Sequence, residues 1–267
     1  MRSFFSLILI AISVLLLLGG CEIVKESDGD GTISVYKGPV FQGRVFSDST
    51  ECTYTGTPSQ YNCTTKAQES LALYPTKEKT VSYCYTESCI TKKKITFSNY
   101  TTPILMAPAG SNKIDMITDA IFQLWEYYRD SGISGVEPSS YVSLLNELIG
   151  DSNRTIPDDY LASSINTSND GNMAVVNYLI NDVIYEYLNV LEQGGTETNA
   201  ISTANNKYIS LLSSNNITSA TSISQIEEKF SGKIESDGKI KKSINGDTSI
   251  VGIDDTTDST GATEALT

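Results

Sequence analysis

The chain has 267 residues and a formal net charge of -13, with 19 Lys and Arg against 32 Asp and Glu. That balance lacks the basic footprint that binds phosphate backbones, so nucleic acid is excluded as the expected partner, and anionic lipid headgroups would repel the surface. The absence of histidine removes the commonest general base, the histidine-dependent triads and most zinc sites, so neither a metal nor a cofactor is expected and a non-catalytic protein is favoured.

Arg2 precedes an apolar run from Leu7 to Leu18 that is relieved only by Ala11 and Ser13 and ends in Leu18-Gly19-Gly20-Cys21. A charged start, a short apolar core and small residues at the cut read as a secretory signal peptide over residues 1–20. The run is shorter than the roughly 20 apolar residues a spanning helix needs. Its Leu-Gly-Gly-Cys ending resembles the lipobox of bacterial lipoproteins. That resemblance implies that Cys21 becomes an acylated first residue and anchors the protein to a membrane through lipid. Glu22, in place of the aspartate that retains many such proteins at the inner membrane, implies the outer membrane of the cell envelope. Residues 21–32 are polar and read as a tether. Asp28-Gly29-Asp30-Gly31 within it lacks the later oxygen ligands of a calcium loop.

Residues 33–110 carry the marks of β structure. Val40, Val45 and Phe46 lie beside the turn signals Gly38-Pro39 and Gly43; Leu71 and Leu73 alternate up to Tyr74-Pro75. Val81, Tyr83 and Tyr85 alternate strictly, Ile95 and Phe97 follow the basic run Lys92-Lys93-Lys94, and Ile104 and Met106 close the region. Several short strands with turn signals predict a small β-sandwich or barrel, and the lysine run reads as a solvated edge. Cys52, Cys63, Cys84 and Cys89 make an even number in an exported chain, which reads as disulfides. Three pairings exist; short separations favour Cys52 with Cys63 and Cys84 with Cys89.

Residues 111–231 change period. Ile114, Ile117, Ile121, Leu124 and Tyr128 predict a helix capped by Ser111 or Asn112. A second helix follows Pro138 and stops at Gly150, and a short third starts near Pro157 with Tyr160 and Leu161. The longest runs from about Asn172 to Gln193 along Val176, Leu179, Ile180, Val183, Ile184, Tyr187 and Leu191. Further helices cover roughly Asn199 to Ser213 and Ser222 to Phe230. Residues 232–267 are polar and read as a mostly disordered tail, with Ile250-Val251 able to add a strand. The fold class expected is therefore α+β in segregated parts: a disulfide-stapled β-sandwich, then an all-α helical bundle.

Lys37-Gly38-Pro39-Val40 and Ala107-Pro108-Ala109-Gly110-Ser111 resemble the entry and exit of the carboxypeptidase-regulatory-like, immunoglobulin- or transthyretin-like sandwich that precedes a helical region in some bacterial lipoproteins. Pro157-Asp158-Asp159-Tyr160-Leu161 resembles a helix-entry element of the same class. The resemblance implies fold and location, not chemistry.

Trp125-Glu126-Tyr127-Tyr128-Arg129 is the densest aromatic cluster, and Trp125 and Tyr127 are the candidate binding surface. The competing reading packs Leu124 and Tyr128 into the core and leaves Trp125 at a domain boundary. The adjacent acids Asp158-Asp159 and Glu227-Glu228 read as solvated faces. Asp151-Ser152-Asn153-Arg154-Thr155 fits a glycosylation sequon with the acidic extension some bacterial transferases require, which makes Asn153 a candidate modification site. Together these features predict a lipid-anchored, non-catalytic binding or assembly module with a protein or glycan partner in the envelope. The alternatives are a carboxylate-dependent hydrolase acting on polysaccharide and a structural spacer.

Overall fold

A computed structural model of the chain describes residues 31–35, 40–57, 59–84, 91–165, 167, 170–223, 225–226 and 250–257. Strands occupy the first half and helices the second, with one more strand near the C-terminus. Twelve strands are present among the described residues: β1 Thr32–Val35, β2 Val40–Gln42, β3 Arg44–Ser47, β4 Thr50–Glu51, β5 Thr53–Tyr54, β6 Gln60–Asn62, β7 Ser70–Tyr74, β8 Thr80–Cys84, β9 Thr91–Phe97, β10 Leu105–Pro108, β11 Lys113–Ile114 and β12 Ile250–Thr257. They pair into three four-stranded sheets, ordered β11-β1-β6-β5, β10-β7-β3-β4 and β12-β9-β8-β2. Every pairing is antiparallel except β1 with β11.

Period-2 alternation decides which side chains go inside. Ile33 and Val35, Val45, Leu71 and Leu73, Val81, and Ile95 and Phe97 come from all three sheets and share one apolar core. The expected bridge between Cys52 and Cys63 is formed, with Cα atoms 4.4 Å apart, and both cysteines are buried in that core. Gly31 lies against it: a Cβ there would meet the Cys63 carbonyl oxygen at 2.2 Å, so only glycine permits the Cys63 N–H to donate to the Gly31 carbonyl at 2.7 Å. The other expected bridge needs Cys89, which lies outside the described residues, as does Cys21. Asp48, at a φ of 51°, turns β3 into β4. Its carboxylate accepts the N–H groups of Gln68, Glu69 and Ser70 at 2.8–3.0 Å, and these bonds hold it below its usual pKa.

The helices are α1 Met116–Asp130, α2 Tyr141–Ile149 after a 3₁₀ turn at Pro138–Ser140, α3 Gly171–Glu192 and α4 Glu197–Ser214. Their apolar stripes meet in a second core that includes Ile121, Leu124, Leu145, Leu179, Ile180, Val183 and Tyr187. Met116 packs against both cores. From Gly31 onward the described residues belong to one compact unit.

Three expectations are corrected. The first helix is not capped by Ser111 or Asn112, and Ile114 is not on its stripe. Lys113 and Ile114 instead pair in parallel with Ser34 and Val35, which delays the helix until Asp115 can cap it. The segment around Pro157 makes turns and no helix. Two of its carbonyls are taken from outside: Leu161 O accepts the Asn112 N–H at 3.0 Å, and Ser163 O accepts the Lys113 Nζ at 2.8 Å. The lysine run is not on an edge strand either, because β9 lies between β8 and β12. Of the expected tail, Ile250–Thr257 form a strand; the rest lies outside the described residues.

Candidate functional site

Two clusters gather polar and aromatic side chains. The first sits where the strands give way to α1. Asp115 is fully buried; its Oδ1 accepts the Thr118 N–H at 2.8 Å while Thr118 Oγ1 accepts the Asp115 N–H at 2.9 Å, forming a reciprocal capping box. The other oxygen, Oδ2, accepts the Tyr160 hydroxyl at 2.7 Å. Lys113, 2% exposed, lays its Nζ 4.0 Å from the centre of the Tyr160 ring. That Nζ also donates to Ser163 O, to Ser163 Oγ at 3.3 Å and to Ile165 O.

The electrostatics follow from burial. Removal from water pushes Lys113 down to about 8, with Asp115 and Asp159 partly opposing the fall. Burial raises Asp115, against the hydrogen bonds from Thr118 and Tyr160. Tyr160 is raised by burial and by the neighbouring Asp115 charge. Each polar atom of the knot already holds a partner within the fold. The arrangement can therefore brace the strand-to-helix junction.

The second cluster lies on the C-terminal half of α1 and holds the sequence-predicted surface. Trp125 and Tyr127 are both partly buried. The Arg129 guanidinium lies 4.6 Å from the Trp125 ring centre, one helical turn on, and Phe122 meets the same indole at 5.7 Å. Arg129 is held in turn by Glu126 at 3.3 Å and Asp130 at 3.4 Å. Tyr127 meets the Tyr128 ring edge-on at 5.4 Å. Tyr128 stacks on Tyr141 at 5.6 Å and 19°.

Tyr128 is the tie between this surface and the core. Its hydroxyl lies 2.5 Å from that of Tyr187, and both hydroxyls reach Glu197 Oε1, at 3.1 and 3.3 Å. Burial raises the pKa of both phenols. Just beyond α1, Ile133 is 48% exposed, and its N–H donates to the Tyr128 carbonyl at 2.9 Å. Trp125, between Phe122 and Arg129, and Tyr127, against the fixed Tyr128, are therefore two half-buried aromatic sites on different faces of α1. Each offers a π surface for stacking, and the charged side chains beside Trp125 add polar groups for orientation.

Through Tyr128 the structure thus ties Tyr127 to Tyr141, Tyr187 and Glu197, which sequence reasoning did not single out, while Trp125 packs apart from them on Phe122 and Arg129. No local signal marks that association, since Tyr128 and Tyr187 are 59 positions apart. Asn153 is exposed in the turn after α2. Its N–H donates to Asp151 Oδ1 at 3.0 Å, and the other oxygen of Asp151 accepts Arg154 Nη1 at 2.6 Å. The acidic residue of the extended sequon is therefore already engaged on both oxygens. Asp158 and Asp159 are exposed, and Glu227-Glu228 lie outside the described residues.

Among the described residues, no group of three or more His, Cys, Asp or Glu side chains is placed to hold a metal, and no helix is long and apolar enough to cross a membrane. No protein-family model, curated protein or solved structure matches the chain.

Proposed function

We propose that this protein is a lipid-anchored, non-catalytic binding module of the bacterial cell envelope, acylated at Cys21 and engaging a protein or glycan partner through the α1 surface that carries Trp125 and Tyr127. The observation that carries the binding half is the pair of half-buried, held aromatic rings on α1: Trp125 between Phe122 and Arg129, and Tyr127 against Tyr128, which Tyr187 and Glu197 fix. Aromatic side chains fixed in this way bind with little further loss of conformational freedom. The anchoring half rests on Leu18-Gly19-Gly20-Cys21 and on a net charge that disfavours adhesion to anionic lipid by the folded surface. On this reading the strand-rich half, whose sheets share one core, is a sandwich-like spacer that lifts the helical part from an outer membrane. The described helices form its bundle, and the sequon at Asn153 stays a candidate glycosylation site on an exposed turn.

Radiolabelled palmitate supplied to the native host tests the anchor: label on the wild-type chain and none on Cys21→Ser supports it, and label on both removes it. A photocrosslinking amino acid at position 127 tests the binding surface. One defined envelope component captured by the anchored protein, and reduced at least tenfold by Trp125→Ala, is the expected result. Capture that is unchanged by Trp125→Ala overturns the binding surface.

A further inference from the structure

The outer face of β3 carries an arginine that the fold fixes in place and leaves without an anion. Along β3, Val45 and Ser47 are buried, so Arg44 and Phe46 take the opposite face. Across the ladder Arg44 stands opposite Tyr74 of β7. Arg44 Nε donates to the Pro75 carbonyl at 2.9 Å, and Nη2 donates to the Tyr100 carbonyl at 2.7 Å. The guanidinium carbon lies 5.4 Å from the Phe46 ring centre, 5.8 Å from that of Tyr74 and 5.5 Å from that of Tyr100. Phe46 and Tyr74 meet edge-on at 5.2 Å. In the loop before β10, the Asn99 side chain accepts the N–H groups of Thr101 and Thr102 at 3.1 and 2.9 Å. That turn holds Tyr100, which is 40% exposed.

A guanidinium has five N–H donors, and the two carbonyls engage two of them. Arg129 and Arg154 each pair with a carboxylate; Arg44 is the one arginine among the described residues that does not, although Glu51 stands opposite Phe46 on β4. A guanidinium pinned in this way offers its remaining donors as a planar fork, which matches the two oxygens of a carboxylate. The net charge of -13 repels densely charged chains such as polyphosphates, so an isolated carboxylate is the fitting anion. The surroundings select its carrier. β3 and β7 both lie inside their sheet, ordered β10-β7-β3-β4, so an acidic peptide cannot dock there by adding a strand. A sugar needs no strand edge: the C–H face of its ring packs on an aromatic face, and tyrosine adds a hydroxyl beside that face.

We propose that Arg44, Phe46, Tyr74 and Tyr100 form a binding site for a carboxylate-bearing sugar of the uronic acid class, with Arg44 taking the carboxylate through its free N–H groups and the exposed Tyr100 ring stacking on the sugar. Phe46 and Tyr74 support the guanidinium from the sheet. The site uses no residue of the α1 surface and does not depend on acylation of Cys21, so it adds a binding role to the strand-rich half. A purely structural Arg44, strapping the Tyr100 loop to the sheet, would give the protein no preference for a carboxylate.

The test titrates the full-length chain, by ligand-observed NMR, with cellobiouronic acid, digalacturonic acid and the neutral disaccharide cellobiose. At least one of the two acids is expected to bind at least tenfold more tightly than cellobiose. Arg44→Lys keeps the charge and loses the fork, and is expected to weaken that acid about tenfold. Tyr100→Ala removes the ring but keeps the backbone carbonyl that holds Arg44, and is expected to weaken it as well. Urea midpoints check that both variants fold. Trp125→Ala is expected to leave the titration unchanged; a loss there would move the sugar to the α1 surface and overturn this site. Binding of neither acid, equal binding of acids and cellobiose, or affinities unaltered by both Arg44→Lys and Tyr100→Ala also overturns it. An acidic tripeptide that binds as tightly as the better sugar acid would assign the carboxylate to a peptide and overturn the sugar.

Discussion

Asp115 serves three neighbours with one carboxylate. It caps α1 through Thr118, accepts the Tyr160 hydroxyl, and lies near the Lys113 ammonium, which lowers its pKa against the effect of burial. An N-cap contributes about 1 kcal/mol, and breaking a buried charged network by removing one partner costs about 3–5 kcal/mol. Asp115→Ala is therefore expected to lose about 4 kcal/mol in urea unfolding. Asp115→Asn keeps a capping oxygen and is expected to lose about half as much. Equal losses for both substitutions would remove the cap from this account. The sequence marks Asp115 only as one acid among many. Its role depends on Tyr160, 45 positions away, and a one-dimensional pattern carries no record of that approach.

At the scale of elements, boundaries are set by competition for backbone groups. α2 ends at Gly150, in the left-handed region at a φ of 61°, as its sequence position predicts. What the sequence does not reveal is the second constraint there. A Cβ at position 150 would meet the Asn205 amide oxygen at 2.4 Å, and that amide donates to the Glu147 carbonyl at 2.7 Å, linking α4 to α2. Gly150→Ala is expected to cost about 1 kcal/mol for the backbone and about another 1 kcal/mol for displacing Asn205. Thermal or urea unfolding of Gly150→Ala in an Asn205→Ala background isolates the second part. A cost that is the same in both backgrounds would show that Asn205 yields freely. The start of α1 was misread for a related reason: Lys113 and Ile114 have a strand partner in β1 that no helical periodicity could show.

For the whole molecule, the buried titratable groups give stability a defined alkaline shape. Lys113 titrates at about 8 in the folded chain against 10.5 when unfolded. Between those values the unfolded chain binds more protons, so stability rises with pH. Burial raises Tyr160, Tyr187 and Tyr208 above the ordinary value of 10.0. Above pH 10 the unfolded chain loses phenolic protons first, and the contribution of these groups declines as pH rises. Urea midpoints measured from pH 7 to 11 are expected to climb and then fall. Lys113→Met should remove the climb and leave the fall; a climb that persists would place its origin elsewhere.

The sequence by itself determined the succession of a strand-rich and a helical half, the faces of the long helices and the aromatic content of α1, and it favoured the Cys52–Cys63 bridge among three pairings. These follow from local periodicity, turn chemistry and short separations, which are written in neighbouring residues. Tertiary structure alone decided that Lys113 is buried, that Asp115 caps α1, that Tyr128 is tied to Tyr187 and Glu197, and that an acidic strand pairs with the lysines of β9. Except for the cap, which Asp115 makes with Thr118 three positions on, each of those choices pairs groups far apart in the chain. Burial makes an unpartnered polar group costly, so the packed fold, not the local pattern, selects the partner.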